Sequence, residues 1–169
     1  MRKNVRLCVT MMLALTACGG GEKSAAVDSS GAGAAGGAGA MLAAAGGSGE
    51  EKYTQVCAVC HQANGLGVEG NFPPLANSEW MTGKPEVPIA IVLHGMQGEI
   101  VVNGKTYNGV MAAWGESMTD ADIAAVVTHE RSSWGNSASA VTAEQVKVVR
   151  AQYASRTTPW TAADLQPLR

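Results

Sequence analysis

Two thiols and an imidazole stand within five residues, Cys57-Ala58-Val59-Cys60-His61. Cysteines three apart fall on nearly the same side of one helical turn. That is the spacing at which two thiols add across the two vinyl groups of a haem and become thioethers, with the histidine that follows turned toward the iron. Three other chemistries use paired cysteines. A zinc knuckle needs a second Cys/His pair to complete four ligands, and the other two cysteines, Cys8 and Cys18, lie in what reads as an export signal. A thioredoxin-like dithiol goes with a cytosolic chain and a βαβ pattern, and neither is read here. A disulfide between Cys57 and Cys60 would close over only two residues. The reading is therefore one covalently attached haem c, held by Cys57 and Cys60, with His61 as an iron ligand.

A sixth ligand must come from the opposite side of the ring. Four methionines follow His61: Met81, Met96, Met111 and Met118. Met111 fits best, because it follows Gly109 in an expected loop and Trp114 stands three residues on to wall a crevice. Met96, beside Gly95, is the runner-up. Met118 directly precedes a helix cap and is expected to pack in the core, the usual place of methionine. Iron held by His and Met is an electron-transfer arrangement, and the thioether raises its potential. A metal-bound histidine donates its second ring N–H to an acceptor. Pro73, whose carbonyl is free, is expected to take it, with Pro74 as the alternative.

The elements that must position these groups follow from pattern and punctuation. Residues 50–59 read as a first helix carrying the cysteines at its end. Gly49 and Tyr53 lie four apart, on a face that something approaches closely. Gly65, Gly67 and Gly70 make a tight, irregular loop, and Phe72-Pro73-Pro74-Leu75 runs extended. Residues 85–94 read as a helix with Ile89, Val92 and Leu93 buried and Gly95 as its stop. Asn103-Gly104, between residues 99–102 and 105–107, is a hairpin turn. Thr119 caps the next helix with Asp122 as the reciprocal acid, and Ile123, Val126 and Val127 make its stripe. Thr142 opens a last helix, whose Val146, Val149 and Tyr153 share one face as a strap on the domain. The fold class is thus mainly α, a helical domain around one haem with a small β-hairpin and a C-terminal extension helix.

The chain divides into four parts. Residues 1–17 read as a bacterial lipoprotein signal: basic Arg2, Lys3 and Arg6, then an apolar run too short to span a bilayer permanently. Leu15-Thr16-Ala17-Cys18 resembles a lipobox, with Cys18 lipidated and the mature N-terminus; the alternative is an ordinary signal peptide with an incidental cysteine. Residues 18–49, dominated by Gly, Ala and Ser, cannot bury enough apolar area to offset their ordering entropy. They read as a flexible tether spanning about 30 Å r.m.s.. Residues 50–136 are the haem domain and 137–169 a helical extension packed on it. Without residues 1–17, nine Lys/Arg face fourteen Asp/Glu, a formal charge of −5. No basic cluster points to nucleic acid.

Taken together, Cys57-Ala-Val-Cys-His61, Phe72-Pro-Pro-Leu75, Leu93-His-Gly95, Tyr107-Asn-Gly-Val-Met111, Trp114-Gly115 and Arg131-Ser-Ser-Trp-Gly-Asn136 resemble the class I monohaem c-type cytochromes. The resemblance covers most of residues 50–136. It is similar in particular to cytochrome domains that serve bacterial membrane-bound dehydrogenases and haem-copper oxidases. The resemblance implies that Met111 is the distal ligand. It also implies an electron carrier without substrate chemistry, passing single electrons between a membrane dehydrogenase and a terminal oxidase or another cytochrome. Two positions depart from the family pattern. Ala112 stands where a proline often follows the ligand, and His129 where an aromatic usually crosses the first helix. His129 and His94 are read as structural, with His94 the one that would lie near a propionate. The competing function is a haem enzyme or gas sensor with a labile Met111 and His94 or His129 on the distal side. The expected location is a bacterial membrane, facing the periplasm or cell exterior. Gly19 after Cys18 points to the outer membrane in a Gram-negative cell.

Overall fold

A computed structural model describes residues 48–169. The readings of a signal peptide, of Cys18 and of a tether up to residue 47 lie outside them. The first helix is continuous from residue 49 to 61 but changes pitch within: α1 (Gly49–Lys52), a π-turn segment (Tyr53–Cys57) and α2 (Ala58–His61). Ser48 caps it, with Glu51 reaching back to the Ser48 N–H. It ends at Gln62 (φ 63°), whose carbonyl accepts from the buried Tyr53 hydroxyl at 2.6 Å. The side chain one turn into the helix thus pins the residue after His61.

After the glycine loop come α3 (Glu79–Thr82), capped by Ser78, and α4 (Glu86–His94), stopped by Gly95 at φ 75°. The hairpin is longer than expected. Strand β1 (Met96–Val102) pairs antiparallel with β2 (Lys105–Met111), the turn being Asn103 and Gly104, both at positive φ. Met111 therefore closes β2 instead of sitting in a loop, and Met96, the first residue of β1, lies directly across from it. The extra pairs run through Gln97, Gly98, Gly109 and Val110, two of them glycines with poor strand propensity, which is why residue types alone hid them.

Helix α5 (Asp120–Ser132) carries the expected capping box, Thr119 and Asp122 bonding reciprocally. Lys52 of α1 adds an ion pair to Asp122 at 2.9 Å. The two helices cross where Gly49 lies: a Cβ there would meet the Ala125 carbonyl oxygen at 2.1 Å and the His129 Cβ at 3.0 Å. His129 packs its ring against Tyr53 (centroids 5.5 Å) and Trp134 (5.1 Å) at this crossing. Helix α6 (Ala143–Gln152), capped by Thr142, buries Val146 and Val149 against α4 and α5. The chain then returns to the hairpin. Trp160 makes a parallel bridge to Met96, its carbonyl accepting from the Gln97 N–H and its N–H donating to the Gly95 carbonyl. A short helix, α7 (Ala162–Leu165), follows.

Candidate functional site

One face of the hairpin makes the wall of an apolar cleft. Directly paired residues of an antiparallel ribbon present their side chains to the same face. Met96, Gly98, Ile100 and Val102 of β1 and Tyr107, Gly109 and Met111 of β2 all line this cleft. Gly98 pairs with Gly109, so the face has a hollow at its centre. A Cβ on Gly98 would meet nothing within 4 Å, and one on Gly109 only the Asn71 carbonyl oxygen at 3.6 Å. The cleft volume is ≈ 290 Å³, close to the lower end of the range for small-molecule and cofactor sites.

Cys57, Cys60 and His61 line the same cleft, as does Trp114. Both cysteines are free thiols. Burial and the neighbouring Glu130 carboxyl raise the Cys57 thiol well above its ordinary pKa. His61 is buried, and its Nδ1 lies 2.9 Å from the Pro73 carbonyl oxygen, the acceptor expected from sequence. A carbonyl only accepts, so Nδ1 carries the proton and Nε2 keeps its lone pair for a metal. Burial pulls the His61 pKa below its usual value, partly offset by that hydrogen bond, and so favours the neutral ring. The loop holding Pro73 is clamped in turn. The Leu75 and Ala76 N–H groups donate to the Gly65 carbonyl, and the Asn136 amide donates to the Leu75 and Glu130 carbonyls. Gly65 itself admits Trp134, which a Cβ would strike at 2.4 Å.

Met111 is set by α4. The Trp114 and Gly115 N–H groups donate to the Val92 and Leu93 carbonyls, and a Cβ on Gly95 would lie 2.5 Å from the Met111 carbonyl oxygen. The structure thus brings Cys57, Cys60, His61 and Met111 around one cleft. It also brings in the runner-up Met96, and Met81 besides. Met118 is buried in the core, away from the cleft lining. Neither His94 nor His129 lines the cleft; His94 stands edge-on to Trp160. Among the described residues no cluster of three His, Cys, Asp or Glu side chains is placed to hold a metal ion, as a zinc site would require. A haem c fits this donor set: two thiols and a free imidazole nitrogen from the first helix, a thioether from the ribbon, and a glycine hollow on the same lining.

Sequence reasoning passed over two features. One is the Gly98/Gly109 hollow, visible only once the register is known. The other is Glu130, a carboxyl 4% exposed that lines the cleft. Its signal was available: Glu130 continues the stripe of Ile123, Val126 and Val127 at helical spacing.

Comparison with known proteins bears on the same segment. The family described as cytochrome C oxidase, cbb3-type, subunit III, matches residues 44–129. The chain is 42% identical over 113 residues to cytochrome c-552 of Thermus thermophilus, covering 62% of this chain and 85% of that protein. It is 36% identical over 105 residues to the cytochrome c subunit of a quinone alcohol dehydrogenase from Gluconacetobacter polyoxogenes, covering 60% of this chain and 22% of that subunit. With FixP, a cbb3-type cytochrome c oxidase subunit of Azorhizobium caulinodans, it shares 32% over 88 residues, 52% of this chain and 29% of FixP.

Proposed function

Because the chain belongs to the cytochrome c family, whose members carry covalently attached haem c and transfer electrons, we propose that it is a lipid-anchored carrier. It shuttles single electrons between a membrane dehydrogenase and a terminal oxidase or another cytochrome, with no substrate chemistry of its own. One observation supports the reading most: Cys57, Cys60, Met111 and His61, the last with one ring nitrogen unengaged, line a single apolar cleft.

In this reading Cys57 and Cys60 would hold the haem as thioethers, and His61 and Met111 would supply its iron with nitrogen and sulfur ligands. The bound group supplies a one-electron couple at iron. The chain's own residues set the conditions for it. Pro73 fixes the tautomer and plane of the His61 ring through its carbonyl. Met111, at the end of β2 where the following residues are bonded to α4, would fill the coordination position that an enzyme or gas sensor leaves open. Trp114, Ile100, Val102 and Tyr107 keep water from the site, which limits the solvent that must reorganise when charge moves. His94 and His129, the distal groups of the competing reading, stand away from the cleft lining.

The anchor is the Cys18 lipid, and residues 18–47 tether the haem domain, which begins at the Ser48 cap, so that nearby partners see it at raised effective concentration. One acyl chain binds a membrane only marginally, so stable retention rests on the several chains of a mature lipoprotein. Mass spectrometry of the mature N-terminus tests this. An acylated Cys18 is expected, and Cys18→Ser should leave a precursor or release a soluble, still reducible protein. An unmodified N-terminus other than Cys18 contradicts the anchor.

A further inference from the structure

Glu130 is out of place in a cleft of this composition. It lines a predominantly apolar cleft that Val56, Leu75, Met81 and Ile91 also line, and it is 4% exposed. Among the described residues no Lys, Arg or His makes an ion pair with it. The charged groups of the elements packed on α5 are engaged elsewhere or lie at the surface. On α1, Lys52 pairs with Asp122, and Glu50 and Glu51 are exposed. On α3, Glu79 accepts from the Asn103 N–H. On α4, Glu86 is exposed and His94 faces Trp160. On α6, Arg150 pairs with Asp120, and Glu144 and Lys147 are exposed. On its own helix, the Arg131 guanidinium donates to the carbonyls of Met81, Gly83 and Ser139, and His129 lies against Tyr53 and Trp134. What remains beside the carboxyl is the first helix, with the Tyr53 hydroxyl, already committed to the Gln62 carbonyl, and the Cys57 thiol.

The inference rests on the haem reading above, and one of its chemical consequences matters here. Thioether formation consumes the Cys57 S–H, so the polar group that favours the ionised carboxylate stops being a donor. A buried carboxylate without donor or cation is costly, and so is a positive charge added to the same apolar cleft. Each relieves the other.

We propose that Glu130 is the proton-holding group of the site and couples electron transfer to proton transfer. The balanced step is ferric iron with a Glu130 carboxylate, plus one electron from the donor protein and one proton from solvent, giving ferrous iron with a Glu130 carboxylic acid. Oxidation returns both. Burial pushes the Glu130 acid up to about 8 without a bound cofactor, so its titration falls within reach of physiological pH. The direction follows from charge. The oxidised centre carries one more positive charge and favours the carboxylate, so the acid is weaker in the reduced protein. Between the two acid strengths, rising pH makes reduction harder.

Redox titration of the full haem-loaded protein from about pH 5 to pH 9 tests this, with Glu130→Gln and His94→Gln beside the wild type. The reduction equilibrium of the wild type should fall about tenfold or more across the range, the size expected for two charges interacting at the edge of an apolar site. Glu130→Gln should flatten the profile while keeping covalent haem and an unchanged visible spectrum; His94→Gln should keep the slope. Equal slopes in the wild type and Glu130→Gln overturn the proposal, as does a slope lost in His94→Gln alone. Should Glu130→Gln fail to fold, infrared difference spectra of the wild type decide. A buried protonated carboxyl should gain intensity on reduction, and no change in that signal overturns the proposal. A wild type without covalent haem refutes the underlying haem reading instead, so the two failures are distinct.

Discussion

Met111 and Met96 differ by very little in place and a great deal in expected role. They face each other across the ladder, on the same side of the ribbon, and both line the cleft. Met96 is the more buried, 7% exposed, and its backbone is bracketed by the Trp160 bridge. Met111 stands at the strand end, from which the chain turns to α4. We therefore expect Met111→Ala to open the iron: the potential falls and carbon monoxide binds to the reduced protein. Met96→Ala should leave the absorption spectrum as it was. Spectra of both variants, with and without carbon monoxide, check this, and the opposite pattern moves the ligand to Met96. Sequence pattern separated these two methionines from Met118, because a residue just before a helix cap has little freedom to reach a distant site. It did not reveal that Met96 and Met111 are cross-strand partners, since that depends on register. Glu130 was legible in principle as the next step of the stripe of Ile123, Val126 and Val127, but a carboxyl is ordinarily read as the solvent side of a helix.

The elements that matter most to the site are the first helix and the ribbon. The first was readable from its cysteines and the Gly49/Tyr53 spacing, and the structure explains the spacing by the close crossing with α5. Its π-turn at Tyr53–Cys57 was not readable, because a change of helical pitch leaves no mark in residue type. The ribbon was readable at Asn103-Gly104 and lost beyond it. Short α3 and α7 also went unread, each having only four residues over which to show a period. The Gly98/Gly109 pair makes a direct prediction at this scale. Gly109→Leu places a side chain in the hollow without backbone strain, since Gly109, unlike Gly98, is not at positive φ. The share of protein carrying haem should drop severalfold, read as haem absorbance per unit protein. Val101→Leu, on the opposite face, exposed and away from the cleft lining, should leave it unchanged. Equal haem content in the two variants argues that the hollow is not the haem's place.

At the scale of the whole molecule, haem and fold depend on each other. The described residues bury few large aromatics, and the walls of the cleft come from the first helix, the proline loop, α4, the ribbon and α5. Elements so distributed have little reason to close around empty space, because an unfilled apolar cavity forfeits the contacts that would stabilise it. The C-terminal segment contributes through α6 on α4 and α5 and through Trp160 on Met96. Sequence pattern showed the apolar face of α6 without its partners, and the Trp160 contact joins residues 64 apart and left no local trace. Cys57→Ala together with Cys60→Ala should thus yield a domain without covalent haem and with its cooperative unfolding transition lost or moved sharply down in temperature. The claim on which all of this rests is that two thioethers tie the haem to Cys57 and Cys60. Acid–acetone extraction of the purified wild-type protein tests it most directly. The haem should stay with the precipitated protein, while colour passing into the acetone would contradict it.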